Sequence, residues 1–190
     1  MKPMRHFGII LALPALGALF GAAATVALAQ QKQDSVSALK GHNSNAPVDV
    51  SADRIEVQDS ADRAIFAGNV HVKQAELTLD TARLTVAYSG GSQASGGVQI
   101  RRLDAAGGVT VHSPSETAKG DFGIYDLDRK LITLIGAVQL NRGENQINGS
   151  RLVIDLDSGR AVVDGGPAGV NQSGGRVTGH FTVPQKKQQQ

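Results

Sequence analysis

The sequence predicts an all-β fold, a twisted sheet of stacked antiparallel hairpins rolled with one face inward, and three observations carry that prediction. From Pro47 to Pro184 the apolar residues recur with a period of two almost everywhere, with polar neighbours between them. Alternation at 180° per residue puts the apolar side chains on one sheet face and the polar ones on the other. The runs are separated by turn chemistry such as Asp59-Ser60-Ala61-Asp62, Asn141-Arg142-Gly143 and Asp157-Ser158-Gly159. After the N-terminal apolar stretch, no window longer than ten residues holds a 3.6-residue period.

The chain opens with Lys2 and Arg5, then an apolar run from Phe7 to Leu28 that ends on Ala27-Leu28-Ala29. A short basic start, an apolar stretch and a small-x-small end are the marks of a cleaved secretory signal, so residues 1–29 read as a signal peptide and the mature protein as exported. A retained membrane anchor, which needs about 20 apolar residues, is the alternative. Pro14 in the middle of the run, its dilution by alanine and glycine, and the polar Gln30-Gln31-Lys32 that follows weigh against it. No cysteine stands at the junction, so lipoprotein processing is excluded. Residues 30–46 are polar and read as a flexible leader, 47–184 as the folded domain, and 185–190 as a disordered tail.

Lys2 and Arg5 leave with the signal, so the 19 basic residues of the whole chain fall to 17 against 17 acidic ones. A near-neutral mature protein without a basic stripe and interleaved aromatics does not fit nucleic-acid binding. The absence of cysteine excludes disulfides, thiol catalysis and cysteine-based zinc sites. The remaining aromatics are Phe66, Tyr88, Phe122, Tyr125 and Phe181, with no tryptophan. A core of Val, Ile, Leu and Ala can close on itself or stay partly open for a guest, and composition does not choose.

In chain order the alternation marks Val48/Val50, Ile55/Val57, Val70/Val72, Leu77/Leu79, Leu84/Val86/Tyr88, Val98/Ile100, Val109/Val111, Phe122/Ile124, Val138/Leu140, Leu152/Ile154/Leu156, Ala161/Val163 and Phe181/Val183. That is a dozen or more short strands. An internal repeat links several of them: Ala67-Gly68-Asn69-Val70 matches Ala106-Gly107-Gly108-Val109 and Ile135-Gly136-Ala137-Val138. A second shared element follows, Ala82-Arg83-Leu84-Thr85-Val86, then Gly120-Asp121-Phe122-Gly123-Ile124, then Ser150-Arg151-Leu152-Val153-Ile154. The repeated valines are 39 and 29 residues apart, and the Gly- and Ser-rich stretch from Ser89 to Gly97 accounts for the difference as an insertion. Such units cannot bury an apolar face alone and stack on one another.

Polar residues give no sign of a catalytic or metal site. His71 and His112 flank inward valines and should point outward, and His42 lies in the leader. Asp155-Leu156-Asp157-Ser158-Gly159 resembles the start of a calcium loop but has Gly166 where the bidentate glutamate belongs. It reads as a strand end and a turn, as does the pair Asp126 and Asp128. Ser113-Pro114-Ser115-Glu116 has the form of a capping box with no helix after it. No nucleophile elbow, P-loop or His-Glu-x-x-His motif appears, so no enzyme activity, metal or cofactor is expected.

The segment Pro47-Val48-Asp49-Val50-Ser51-Ala52-Asp53-Arg54-Ile55-Glu56-Val57, followed by Ala64-Ile65-Phe66-Ala67-Gly68-Asn69-Val70-His71-Val72, resembles the opening of the OstA-like family. Later matches are Leu134 to Val138, Gly149 to Leu152 and Gly175 to Pro184, so the similarity spans nearly the whole mature chain. The resemblance implies a half-open β-jelly roll that binds lipopolysaccharide and holds lipid A acyl chains between its sheets. It also implies head-to-tail joining of copies and partners, edge strand to edge strand, between an inner-membrane C-type and an outer-membrane D-type protein. The cleavage site favours the soluble A-type member over the anchored C-type. The residues expected to face the lipid are Val48, Val50, Ile55, Val57, Phe66, Val70, Val72, Leu84, Val86, Val109, Phe122, Ile124, Val138 and Leu152. Assembly is expected through 48–57 at one end and 177–183 at the other. A structural β-solenoid or adhesin segment with a dry core is the competing reading.

Overall fold

Alternating Val, Ile, Leu and Thr with glycine at the bends favour long, strongly twisted strands, and the computed structural model of the chain is built from them. It describes residues 39, 42–90, 98–166 and 175–183. The signal region, most of the leader, residues 91–97 of the expected insertion and the C-terminal tail lie outside the described residues. Among the described residues ten strands form one antiparallel sheet: β1 (Val48–Ser51), β2 (Arg54–Gln58), β3 (Arg63–Gln74), β4 (Leu77–Ser89), β5 (Gln99–His112), β6 (Thr117–Asp126), β7 (Leu131–Arg142), β8 (Asn145–Asp155), β9 (Arg160–Asp164) and β10 (Thr178–His180). The sheet runs β1-β3-β4-β5-β6-β7-β8-β10, with β2 also on β3 and β9 also on β8.

Each of the six strands β3 to β8 is long, and each breaks register near its middle: at Ala67/Val70, Thr81/Arg83, Ala106/Val109, Lys119/Phe122 and Ile135/Val138. The bulges line up across the sheet and divide it into two leaves. The first leaf holds β1, β10 and the arms 70–74, 77–81, 109–112, 117–120, 138–142 and 145–149. The second holds β2, β9 and the arms 63–67, 83–89, 99–106, 122–126, 131–135 and 151–155. Residues of both leaves share one buried cluster, so the leaves fold onto each other about the line of bulges. The dozen or more short strands expected from the sequence are therefore arms of fewer, bent strands.

Backbone chemistry fixes the hinge. Gly136 has φ +106°, a region L side chains avoid, and its missing Cβ leaves room for the Asp121 carboxylate on the neighbouring strand. That carboxylate accepts the Ala137 amide at 3.2 Å. Asp53 stands in the same relation to Gly68, and its carboxylate accepts Asn69 Nδ2 at 2.9 Å. The hinge pairs also correct the internal repeat by one residue. Ala82, Asp121 and Ser150 occupy equivalent places, so Asp121-Phe122-Gly123 aligns with Ala82-Arg83-Leu84.

Candidate functional site

The inner faces of the leaves are the only extended apolar surfaces the described fold turns toward each other. In the second leaf, register places Ile55, Phe66, Leu84, Ala105, Gly123, Leu134, Leu152 and Val163 side by side, one from each strand between β2 and β9. A parallel row reads Val57, Ala64, Val86, Leu103, Tyr125, Ile132, Ile154 and Ala161. Facing them, the first leaf contributes Val50, Val72, Leu79, Val111, Ala118, Leu140 and Ile147. The lining thus runs from one edge of the roll to the other with Tyr125 its only polar-tipped member in these rows.

The middle of the roll fills itself. Leu84, Leu134 and Leu152 are 0% exposed, and Gly123 lies so close under Val109 and Leu134 that a Cβ there would stand 3.0 Å and 3.1 Å from their methyl carbons. A cavity of about 20 Å³ remains, bounded by Val48, Val72, Gln74, Leu77, Leu103, Val111, Tyr125 and Ile132 among others. That is room for about one water-sized group. The ends differ. Ile55 and Val57 belong to the inner rows yet are 56% and 58% exposed, and among the described residues no strand lies beyond β2 to cover them.

Of the fourteen residues expected to face a lipid, Val70, Val72, Leu84, Val86, Val109, Val138 and Leu152 are buried on the inner face, and Val48, Val50 and Phe66 are half-buried against it. Ile55 and Val57 join the same rows at the open edge. Phe122 and Ile124 do not face inward. The bulge at Lys119/Phe122 reverses the alternation of β6, so Gly123 and Tyr125 turn inward and Phe122 is 54% exposed on the outer face. There Phe122 pairs with Ile135, itself 41% exposed. Inner-row residues left out of the expected set include Leu79, Leu103, Val111, Ile132, Leu134 and Leu140. Their alternation with Val109, Val138 and Leu152 was the signal that could have included them.

Polar groups sit where they are bonded. His71 Nδ1 lies 2.7 Å from Asp80 Oδ1 across β3 and β4 on the exposed outer face, and His112 Nδ1 lies 3.0 Å from Thr117 Oγ1. Asp155 ends β8 in a turn, its carboxylate accepting the amides of Asp157 and Ser158 at 3.0 Å each, and those bonds hold it below the usual carboxylate range. Ser113 and Glu116 close the turn between β5 and β6, with the Ser113 amide donating to the Glu116 carbonyl at 2.9 Å. Among the described residues no group of three His, Asp or Glu side chains is placed to hold a metal ion.

Among the described residues each edge strand has a partner on one side only. β1 and β2 pair with β3 alone, and β9 and β10 with β8 alone. Among the described residues no further strand pairs with their outward N–H and C=O groups, the arrangement that strand addition satisfies.

Three comparisons bear on this arrangement. Residues 49–160 match the model of a family described as LptA/(LptD N-terminal domain) LPS transport protein. An uncharacterized protein of Rhizobium meliloti strain 1021 is 35% identical over 167 residues, covering 86% of this chain and 89% of that protein. Among solved structures, LptH of Pseudomonas aeruginosa aligns with a TM-score of 0.64 at 17% identity, over 75% of this chain and 99% of that one. It is described as the LptA-homologous periplasmic component of the lipopolysaccharide transport device. The fold is thus the half-open jelly roll that the family resemblance implies.

Proposed function

Since the chain belongs to the LptA/LptD N-terminal domain family of lipopolysaccharide-transport proteins, we propose that it carries lipopolysaccharide across the periplasm with lipid A acyl chains held between its two leaves. The family is described as one of LPS transport proteins, and no catalytic step is part of this reading. One observation carries the reading: the inner rows are apolar from β2 to β9 and stay uncovered at Ile55 and Val57. Burying one methylene is worth about 0.8 kcal/mol, so a twelve-carbon chain favours an apolar track by roughly 9 kcal/mol over water. Such a guest does not cross water unaided, and a continuous lining removes the need.

In this reading residues 1–29 are a signal peptide that delivers the chain to the periplasm. The free edges extend the track: β9 and β10 of one copy pair with β1 and β2 of the next, or with the C-type and D-type partners at the two membranes. Head-to-tail contacts of that kind build an open filament where their rotation does not close on itself. The filled middle means that acyl chains enter only when the leaves part. The same filled middle also suits a structural β element with a dry core, the second reading.

Depletion tests the choice. Newly made lipopolysaccharide should then accumulate at the inner membrane, and the wild-type chain should restore surface display while Val57→Asp, a charge placed in the uncovered end of the row, should not. Normal display after depletion refutes transport, and full rescue by Val57→Asp refutes the track. N-terminal sequencing of the mature protein should begin at Gln30, and an intact Lys2 would assign the chain to the anchored C-type.

A further inference from the structure

The mouth of the roll lies opposite the hinge, where the hairpin turns of the first leaf face those of the second. One buried amide spans it. Gln74 ends β3 in the first leaf, is 3% exposed, and stands between Val48 and Leu77 where the row is otherwise apolar. Its Oε1 accepts the Tyr125 hydroxyl of the second leaf at 2.9 Å. Its Nε2 donates to the carbonyls of Ser44 at 2.9 Å and Ala46 at 3.0 Å. His42 Nε2 lies 3.1 Å from the same Oε1 and donates to it in the Nε2–H tautomer. A buried amide is costly unless bonded, and here every bond it makes joins parts that need not otherwise meet. Leu39 sits in the buried cluster at 4% exposure. Of the leader expected to be flexible, the described part is thus seated against the roll.

Resting on the lipid-carrying reading, we infer that Gln74 and Tyr125 form a clasp across the mouth, with Leu39 and His42–Ala46 as its strap, and that acyl chains enter when the clasp opens. Three observations meet at this place. The Tyr125–Gln74 bond is a buried side-chain bond that joins the two leaves across the interior. The cavity of about 20 Å³ is lined by Gln74 and Tyr125 themselves. Leu39 puts an aliphatic side chain into the same apolar interior that a lipid would occupy, so strap and guest compete for it. A protein whose competent state is a fraction of the whole binds more weakly by that fraction, so weakening the clasp strengthens lipid binding.

The test uses the intact chain with purified lipopolysaccharide, and polysaccharide freed of its acyl chains as control. Tyr125→Phe keeps the ring and removes the bond. It should bind lipopolysaccharide on the order of fivefold more tightly, the tilt that one net hydrogen bond gives to a two-state equilibrium. Gln74→Leu should act in the same direction. In wild type, adding lipopolysaccharide should expose the amides of Ser44 and Ala46, which bond to His42 O at 3.0 Å and Asn43 O at 3.1 Å, to hydrogen exchange. The deacylated control should do neither. Unchanged or weaker binding by folded Tyr125→Phe, or strap amides still protected with lipid bound, overturns the clasp and leaves the carrier standing. No lipopolysaccharide bound by wild type or variant overturns both.

Discussion

Replacing Leu134 and Phe122 by alanine, one at a time, tests the face assignment on which the whole lining rests. Leu134 is 0% exposed, in the middle of an inner row and in contact range of Gly123 from the adjacent strand. Deleting such a leucine removes its transfer energy and leaves a cavity the packed leaves cannot fill, a loss of about 3–5 kcal/mol. Phe122 is larger, but at 54% exposure a little under half its surface is shielded. Roughly 70 Å² of protected ring at about 25 cal/mol/Å² gives a loss of about 2 kcal/mol as an upper figure. Urea unfolding of both variants, extrapolated linearly and compared at equal slope, measures the two losses. The account predicts that Leu134→Ala is the more damaging by at least ~1 kcal/mol. Equal losses, or a larger one for Phe122→Ala, would put Phe122 inside and undo the reversal of β6.

Three further outcomes follow from single contacts. Gly136→Ala places a Cβ at φ +106° and against Asp121, and should cost about 1–3 kcal/mol in the same unfolding assay, part of it recovered by Asp121→Gly. The Asp155 carboxylate is held below its usual range by turn amides, so its contribution is present at neutral pH and fades as pH falls through its depressed folded value. Asp155→Ala should therefore melt below wild type at pH 7, with the gap closing in acid. Burial pushes the Tyr125 phenol above its ordinary 10.0, so the fold favours the neutral form and that contribution is lost as pH rises through the raised value. Melts above pH 10 should destabilise wild type more than Tyr125→Phe.

How much the sequence tells depends on which strand is read. Along β5 the hinge adds a residue, and Leu103, Ala105, Val109 and Val111 keep one parity on both sides of it. Simple alternation therefore reads Val109/Val111 correctly. Along β6 the parity flips at the same hinge, from Ala118 and Gly120 to Gly123 and Tyr125. A glycine and a tyrosine give a weaker apolar signal than Phe122 and Ile124, so the local pattern points the wrong way. The repeat contains the answer, but sequence alone aligns it one residue out, because Gly120-Asp121 matches as well as Asp121-Phe122. Only the contact of Asp121 with Gly136 settles it. The clasp was beyond sequence reasoning for a different reason. Gln74 and Tyr125 are 51 residues apart, and each reads alone as an ordinary polar interruption.

The central claim is that hydrocarbon travels along the inner rows and nowhere else, and site-specific photo-crosslinking in cells reads it directly. A photoreactive residue at Val57, Val50 or Val86, on the inner face, should yield lipopolysaccharide adducts that depend on active transport. The same residue at Phe122, on the outer face of the second leaf, should yield none. Adducts at Phe122 equal to those at the inner positions, or none at any inner position while neighbouring core residues label strongly, would contradict the account.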